Sequence, residues 1–224
     1  MVKAVIFMLL VPLTLMALKM HAQTLSGKSQ IRFLALGDSY TIGENVAEDQ
    51  RWPVQLKVAL TRKGFSCEGP TIVAATGWRT DELRKALAEL HLAEPYNLVS
   101  LLIGVNNQYQ GEDTKRYEHE FGALLATAIR HAGGDASNVF VLSIPDYGYT
   151  PFGKGKQETI SNGINDFNAI NKKVSRQRGV TYIDITDISR RGLTDASLVA
   201  GDGLHPSEKM YALWVERILE RLKI

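Results

Sequence analysis

From residue 31 onward, short apolar runs alternate with longer stretches whose apolar residues recur at helical spacing. The runs IRFLAL (31–36), TIVAA (71–75), LVSLLIG (98–104), VFVLSI (139–144) and VTYIDI (180–185) predict five strands. Most are continuous rather than alternating, as expected of parallel strands covered on both faces. Between them, Tyr117, Phe121, Leu124, Leu125, Ala128 and Ile129 form a stripe that predicts one amphipathic helix, closed by Gly133-Gly134. Ile160, Ile164, Phe167, Ile170 and Val174 predict a second, closed before Gly179. Thr80 is placed to cap a helix carrying Leu83, Leu87 and Leu90. Trp52-Pro53 opens a further helix through Leu56, Ala59 and Leu60, and Met210, Leu213, Trp214 and Ile218 mark the last. The order βαβαβαβαβα, without repeats or linkers, predicts an α/β fold. Its architecture is a three-layer α/β/α sandwich on a mainly parallel five-stranded sheet.

The start of the chain departs from this pattern. Lys3 precedes an apolar run from Ala4 to Leu18, and Met20-His21-Ala22 ends on a small residue before Gln23. The run is shorter than the roughly 20 residues that span a bilayer, and Pro12 interrupts it. Residues 1–22 therefore read as a secretory signal peptide cleaved near Ala22. Residues 23–224 read as one domain, secreted or periplasmic, with no stable membrane insertion after cleavage.

Removing residues 1–22 takes away Lys3 and Lys19 and no acids, so the formal balance moves from 26 − 24 = +2 to 24 − 24 = 0. A neutral chain without a basic run argues against nucleic acid as the main partner. Cys67 is the only cysteine, which excludes an internal disulfide and a cysteine-based metal cluster. It reads as a small buried hydrophobe. His91, His119 and His131 fall on or near predicted helices and show no metal-ligand spacing with a nearby acid, so no metal site is expected.

Sheets of this kind place ligands beyond the carboxyl ends of their strands. There the sequence has Gly37-Asp38-Ser39 after the first strand, Thr76-Gly77-Trp78 after the second, and Gly104-Val105-Asn106-Asn107 after the third. Pro145-Asp146-Tyr147-Gly148-Tyr149 follows the fourth, and GDGLHPS (201–207) comes after the fifth. Acyl hydrolysis needs a nucleophile, a base and donors for the developing oxyanion. Ser39 at a strand-to-helix turn can present its hydroxyl above the sheet. His205 has the chemistry of a neutral-pH base, and Asp202, three residues earlier, can fix its tautomer. Pro206 disfavours helix at His205 and keeps it extended before the last helix. Gly77 allows close backbone approach, and Asn106 supplies a side-chain N–H. Asp38 reads as a helix cap rather than a catalytic group.

These blocks, in this order, resemble the SGNH, or GDSL-type, hydrolase superfamily. Gly37-Asp38-Ser39-Tyr40 with Gly43 is similar to its first block, with Tyr40 where leucine is common. Gly77 and Asn106 match the second and third, and Asp202-Gly203-Leu204-His205-Pro206 matches the last. The resemblance implies a flavodoxin-like SGNH hydrolase fold. It makes Ser39 the nucleophile, His205 the base and Asp202 its orienter. The backbone N–H groups of Ser39 and Gly77 and the Asn106 side chain become the oxyanion hole. No cofactor is implied. Asn107 stands where the third block, Gly-x-Asn-Asp, has an acid; aspartate there should be tolerated if the position only orients Asn106.

GYTPFGKG (148–155) has most of a phosphate-loop pattern, but Gly155 stands where Ser or Thr must hold magnesium. It reads instead as a loop at the site, carrying Tyr149 and Phe152. Trp78, Asn107, Tyr109, Tyr147 and Tyr149 are the candidate lining of an acyl or sugar pocket. The expected function is a serine esterase acting on carboxylic esters, with small acyl groups on a soluble alcohol or a glycan. Acyl transfer by the same residues and a noncatalytic carbohydrate- or lipid-binding module are the alternatives.

Overall fold

The structure, a computed structural model, describes residues 30–93 and 95–224. The expected signal segment, residues 1–22, lies outside the described residues. Five strands form one sheet: β1 (Phe33–Gly37), β2 (Thr71–Ala74), β3 (Leu98–Leu102), β4 (Val139–Leu142) and β5 (Thr181–Ile183). All pair in parallel, in the order β2-β1-β3-β4-β5. Every residue of β1, β3 and β4 is buried, which is why these runs are continuous rather than alternating.

The helices are α1 (Ser39–Ile42), α2 (Trp52–Arg62), α3 (Thr80–Glu89), α4 (Val105–Tyr109), α5 (Thr114–His131), α6 (Gln157–Gln177), α7 (Thr186–Ser189) and α8 (Glu208–Leu222). Helix α2 packs with α8, while α3 packs with α5 and α5 with α6. The helical stripes are the buried faces: Tyr117, Phe121, Leu124 and Leu125 on α5, and Ile160, Ile164 and Phe167 on α6. The Tyr117 and Phe167 rings lie 4.3 Å apart between these two helices. Thr80 differs from its expected role. Arg79 is the cap of α3, its N–H bonded by the Glu82 carboxylate at 2.9 Å, and Thr80 is the first helical residue, buried.

Sheet order and register together position the site. The chain leaves β1 towards β2 and then crosses back to β3, so a switch point lies between β1 and β3. Gly37 is level with Ala74 on β2 and with Leu102 on β3. Ser39, Gly77 and Asn106 lie two, three and four residues past these level positions, at the carboxyl end of adjacent strands. Gly37 has no room for a side chain: a Cβ there would sit 2.5 Å from Leu102 O and closer still to Thr41 Oγ1. Helix α8, packed on α2, returns the chain after β5 to the β1 side, with His205 just ahead of it.

Candidate active site

Ser39 is the first residue of α1, and Asp38 caps that helix by accepting from Tyr40 N at 3.0 Å. As a first-turn donor, the Ser39 N–H has no intrahelical acceptor. Asp38 is buried, its Oδ2 has no partner, and burial pushes its carboxyl up to about 7. Gly77 sits in the turn Ala75–Trp78, closed by Trp78 N to Ala75 O at 3.3 Å. Its φ of +83° suits the third position of a type II turn, which glycine occupies without strain. Asn106, in the first turn of α4, donates from Nδ2 to Trp78 O at 3.0 Å; the second N–H of that amide is not used in this bond.

The loop before α8 is pinned by Ala200 N to His205 O at 2.7 Å and Ser207 N to Leu198 O at 2.9 Å. Within it, Asp202 Oδ1 accepts from the backbone N–H groups of Leu204 and His205, both at 3.0 Å. Asp202 Oδ2 lies 2.6 Å from His205 Nδ1. A carboxylate on Nδ1 keeps the proton there and leaves Nε2 as the free basic nitrogen. Burial pushes the Asp202 carboxyl up, but the His205 ring and the two backbone N–H groups outweigh it and hold it below its ordinary value. The Tyr40 ring packs edge-on against His205, with centroids 5.6 Å apart, so the residue after Ser39 supports the imidazole.

Ser39, Gly77, Asn106 and His205 all line one cavity of about 220 Å³. Of the expected pocket residues, Tyr109 and Tyr147 line it, and three others do not. Trp78 is partly buried against the core and offers its carbonyl to Asn106 instead. Asn107 is fully buried behind the site. Tyr149 turns away, its ring 5.8 Å from the Arg190 guanidinium carbon. Phe152, in the segment with the phosphate-loop pattern, completes the wall, and its N–H bonds Gly203 O at 3.0 Å. Tyr109, Tyr147 and Phe152 form a mutual cluster with ring centroids 6.2 Å apart in each pair.

The sequence reading missed Asn45. Its side-chain amide donates to Asp202 Oδ2, and its φ is +61°. The available signal was residue type alone, since asparagine tolerates the left-handed region better than most. The neighbouring Glu44 carboxylate accepts from the Thr76 hydroxyl, so consecutive residues tie the loops of Gly77 and Asp202. Among the described residues, no group of three or more His, Cys, Asp or Glu side chains is arranged to hold a metal ion. No helix among them is long and apolar enough to cross a membrane.

The chain thus has an α/β/α fold with a serine at the switch point of its parallel sheet and a histidine on the same cavity, the residue types that nucleophilic acyl hydrolysis uses. Residues 35–213 match the GDSL-like Lipase/Acylhydrolase family, and the chain belongs to that family. No curated protein matches the chain. Solved structures share its fold at low identity. A mutant of the acetyl-xylooligosaccharide esterase Axe2 from Geobacillus stearothermophilus is 15% identical, with a TM-score of 0.69 over 87% of this chain and 94% of its own. The lipase/acylhydrolase from Enterococcus faecalis is 21% identical, with 0.65 over 86% and 95%. The psychrotrophic esterase EstA from Pseudoalteromonas sp., inhibited by monoethylphosphonate, is 16% identical, with 0.61 over 87% and 97%.

Proposed function

We propose that this protein is a secreted serine esterase that removes small acyl groups from a soluble alcohol or sugar. The observation that carries the reading is the meeting of Ser39, Gly77, Asn106 and His205 on one cavity, with Asp202 on His205 Nδ1. In this reading His205 Nε2 takes the Ser39 hydroxyl proton as Oγ bonds the ester carbonyl carbon. The negative charge that develops on the carbonyl oxygen is met by the N–H groups of Ser39 and Gly77 and the free N–H of Asn106. The C–O bond to the alcohol then breaks, and the proton on Nε2 leaves with the alcohol oxygen. Water repeats the sequence on the acyl-enzyme, giving the carboxylic acid and free Ser39.

The cavity volume, about 220 Å³, lies below the ≈300–1,000 Å³ of drug-sized pockets and favours a short acyl chain. Tyr109 and Phe152 are 61% and 52% exposed, an aromatic wall open to solvent that favours a flat apolar face on the alcohol side. A sugar ring or an aryl group offers such a face. Among the structures sharing the fold, Axe2 acts on acetyl-xylooligosaccharides, which supports acetylated glycans as the first substrates to try.

The test combines labelling with a substrate panel. A fluorophosphonate should modify Ser39, located by mass spectrometry on the GDSYTIG peptide, and Ser39→Ala should lose ester hydrolysis. Rates on p-nitrophenyl esters should fall beyond about four to six acyl carbons. Labelling elsewhere, or an active Ser39→Ala protein, would remove the assignment. Secretion rests on residues 1–22 and is checked by the mass of the exported product, expected to begin at Gln23.

A further inference from the structure

Two consecutive asparagines grip the segment that carries Gly77. Asn106 Nδ2 donates to Trp78 O at 3.0 Å, one residue beyond Gly77. Asn107 holds Thr80 twice: its Oδ1 accepts from Thr80 N at 3.2 Å, and its Nδ2 donates to Thr80 Oγ1 at 2.8 Å. Asn107 is fully buried, and the same Nδ2 also donates to Glu112 Oε2. Thr80 Oγ1 in turn donates to Glu120 Oε2 at 2.5 Å. Arg116 Nε lies 2.9 Å from Glu120 Oε1 and 2.9 Å from Glu112 Oε1, closing a ring of five side chains.

Proton counting gives this ring a direction. The single proton on Arg116 Nε is aimed at Glu120, so its contact with Glu112 is one of charge only, and Glu112 Oε1 accepts no hydrogen bond. The hydroxyl proton of Thr80 is likewise spent on Glu120. Both remaining acceptors, Thr80 Oγ1 and Glu112 Oε2, therefore depend on the two protons of the Asn107 amide. A carboxylate at 107 supplies neither proton and sets a second negative charge against Glu112 in a buried place.

We propose that Asn107 is a positioning residue whose amide, clamped between Glu112 and Thr80, fixes the Gly77 N–H relative to the Asn106 amide. The proposal rests on the esterase reading above. It requires an amide at 107 because a carboxylate stands at 112. On this proposal aspartate at 107 is not tolerated, although the residue acts only by positioning its neighbours.

The experiment is steady-state kinetics on p-nitrophenyl acetate for the wild type, Asn107→Asp, Glu112→Gln, the double variant and Ser39→Ala, with thermal melts for each. Asn107→Asp is expected to lose at least about tenfold in kcat with KM within about twofold. Glu112→Gln alone should lose about threefold or less. In the double variant the amide introduced at 112 can donate to the carboxylate introduced at 107, and kcat should recover to within about fivefold of wild type. A fully active Asn107→Asp protein, a loss expressed in KM instead of kcat, or a double variant no more active and no better folded than Asn107→Asp overturns the proposal. An active Ser39→Ala protein would remove the esterase reading itself, which keeps the two failures apart.

Discussion

Asn45 donates its side-chain amide to Asp202 Oδ2, the same oxygen that faces His205 Nδ1. Asp202 Oδ1 is occupied by two backbone N–H groups of its own loop, so Asn45 is the side chain that steadies the oxygen turned towards the imidazole. A rotation of the carboxylate would misdirect both the tautomer and the ring. Asn45 is exposed and its bond is open to water, so its contribution is modest, about 1 kcal/mol.

Asn45→Gly is the informative variant, because glycine keeps the φ of +61° and deletes only the amide. The expected result is a fall in kcat/KM of about fivefold with little change in melting temperature. Asn45→Asp should lose more, since it sets a carboxylate against Asp202. Unchanged kinetics in both variants would show that Asp202 holds its orientation unaided.

Asn106 matters in the proposed mechanism mainly once charge has moved onto the carbonyl oxygen. Asn106→Ala should lower kcat by about 10²–10³, or about 3–4 kcal/mol, with KM nearly unchanged. Removing this side chain also frees Trp78 O, so circular dichroism should accompany the kinetics. A loss carried by KM would make Asn106 a binding residue instead of an oxyanion donor.

The strands, their parallel character and the convergence of Ser39, Gly77, Asn106 and His205 were legible in the sequence because each depends on short-range pattern. Three of these residues follow strand ends within a few positions, and the fourth precedes a helix with a clear apolar stripe. Side-chain direction around them was less legible. On α4, Asn106 and Tyr109 are three apart and share the face towards the cavity, while Asn107, about 100° further round, points into the protein. Tyr147 and Tyr149 belong to one 3₁₀ turn, whose three residues per turn send them different ways. The Asn45–Asp202 bond joins residues 157 apart in sequence and left no local trace.

Asp38 makes a pH prediction about stability. Its folded carboxyl is pushed up to about 7 from 3.8 by burial, so between these values the unfolded chain ionises while the folded chain stays protonated. The unfolded state then binds fewer protons, and stability falls as pH rises through this window, by about 4 kcal/mol at most. The amide of an Asp38→Asn variant retains an oxygen to cap Tyr40 N and has no carboxyl proton to lose. The stability of Asp38→Asn relative to wild type should therefore climb between pH 4 and pH 8, measured by urea unfolding at each pH. Parallel pH curves would show that Asp38 is ionised throughout.

The aromatic wall should separate alcohol-side recognition from the chemistry. Tyr109 reaches the cavity from the helix of Asn106, and Phe152 is joined through its N–H to Gly203, two residues from His205. The wall therefore runs from the proposed oxyanion donor to the loop of the proposed base, and in the proposed mechanism the leaving alcohol takes its proton from His205. Tyr109→Ala and Phe152→Ala each remove exposed aromatic surface, so folding should be little affected, while a ring-shaped alcohol loses its platform. Losing such a contact costs about 0.5–1.5 kcal/mol, or about two- to twelvefold in kcat/KM. On an acetylated xylooligosaccharide that loss should appear mainly as a higher KM. Ethyl acetate, whose alcohol is too small to span the wall, should be hydrolysed within about twofold of wild type by both variants. An equal loss on the two substrates would mean that the cluster shapes the reacting centre rather than the alcohol side.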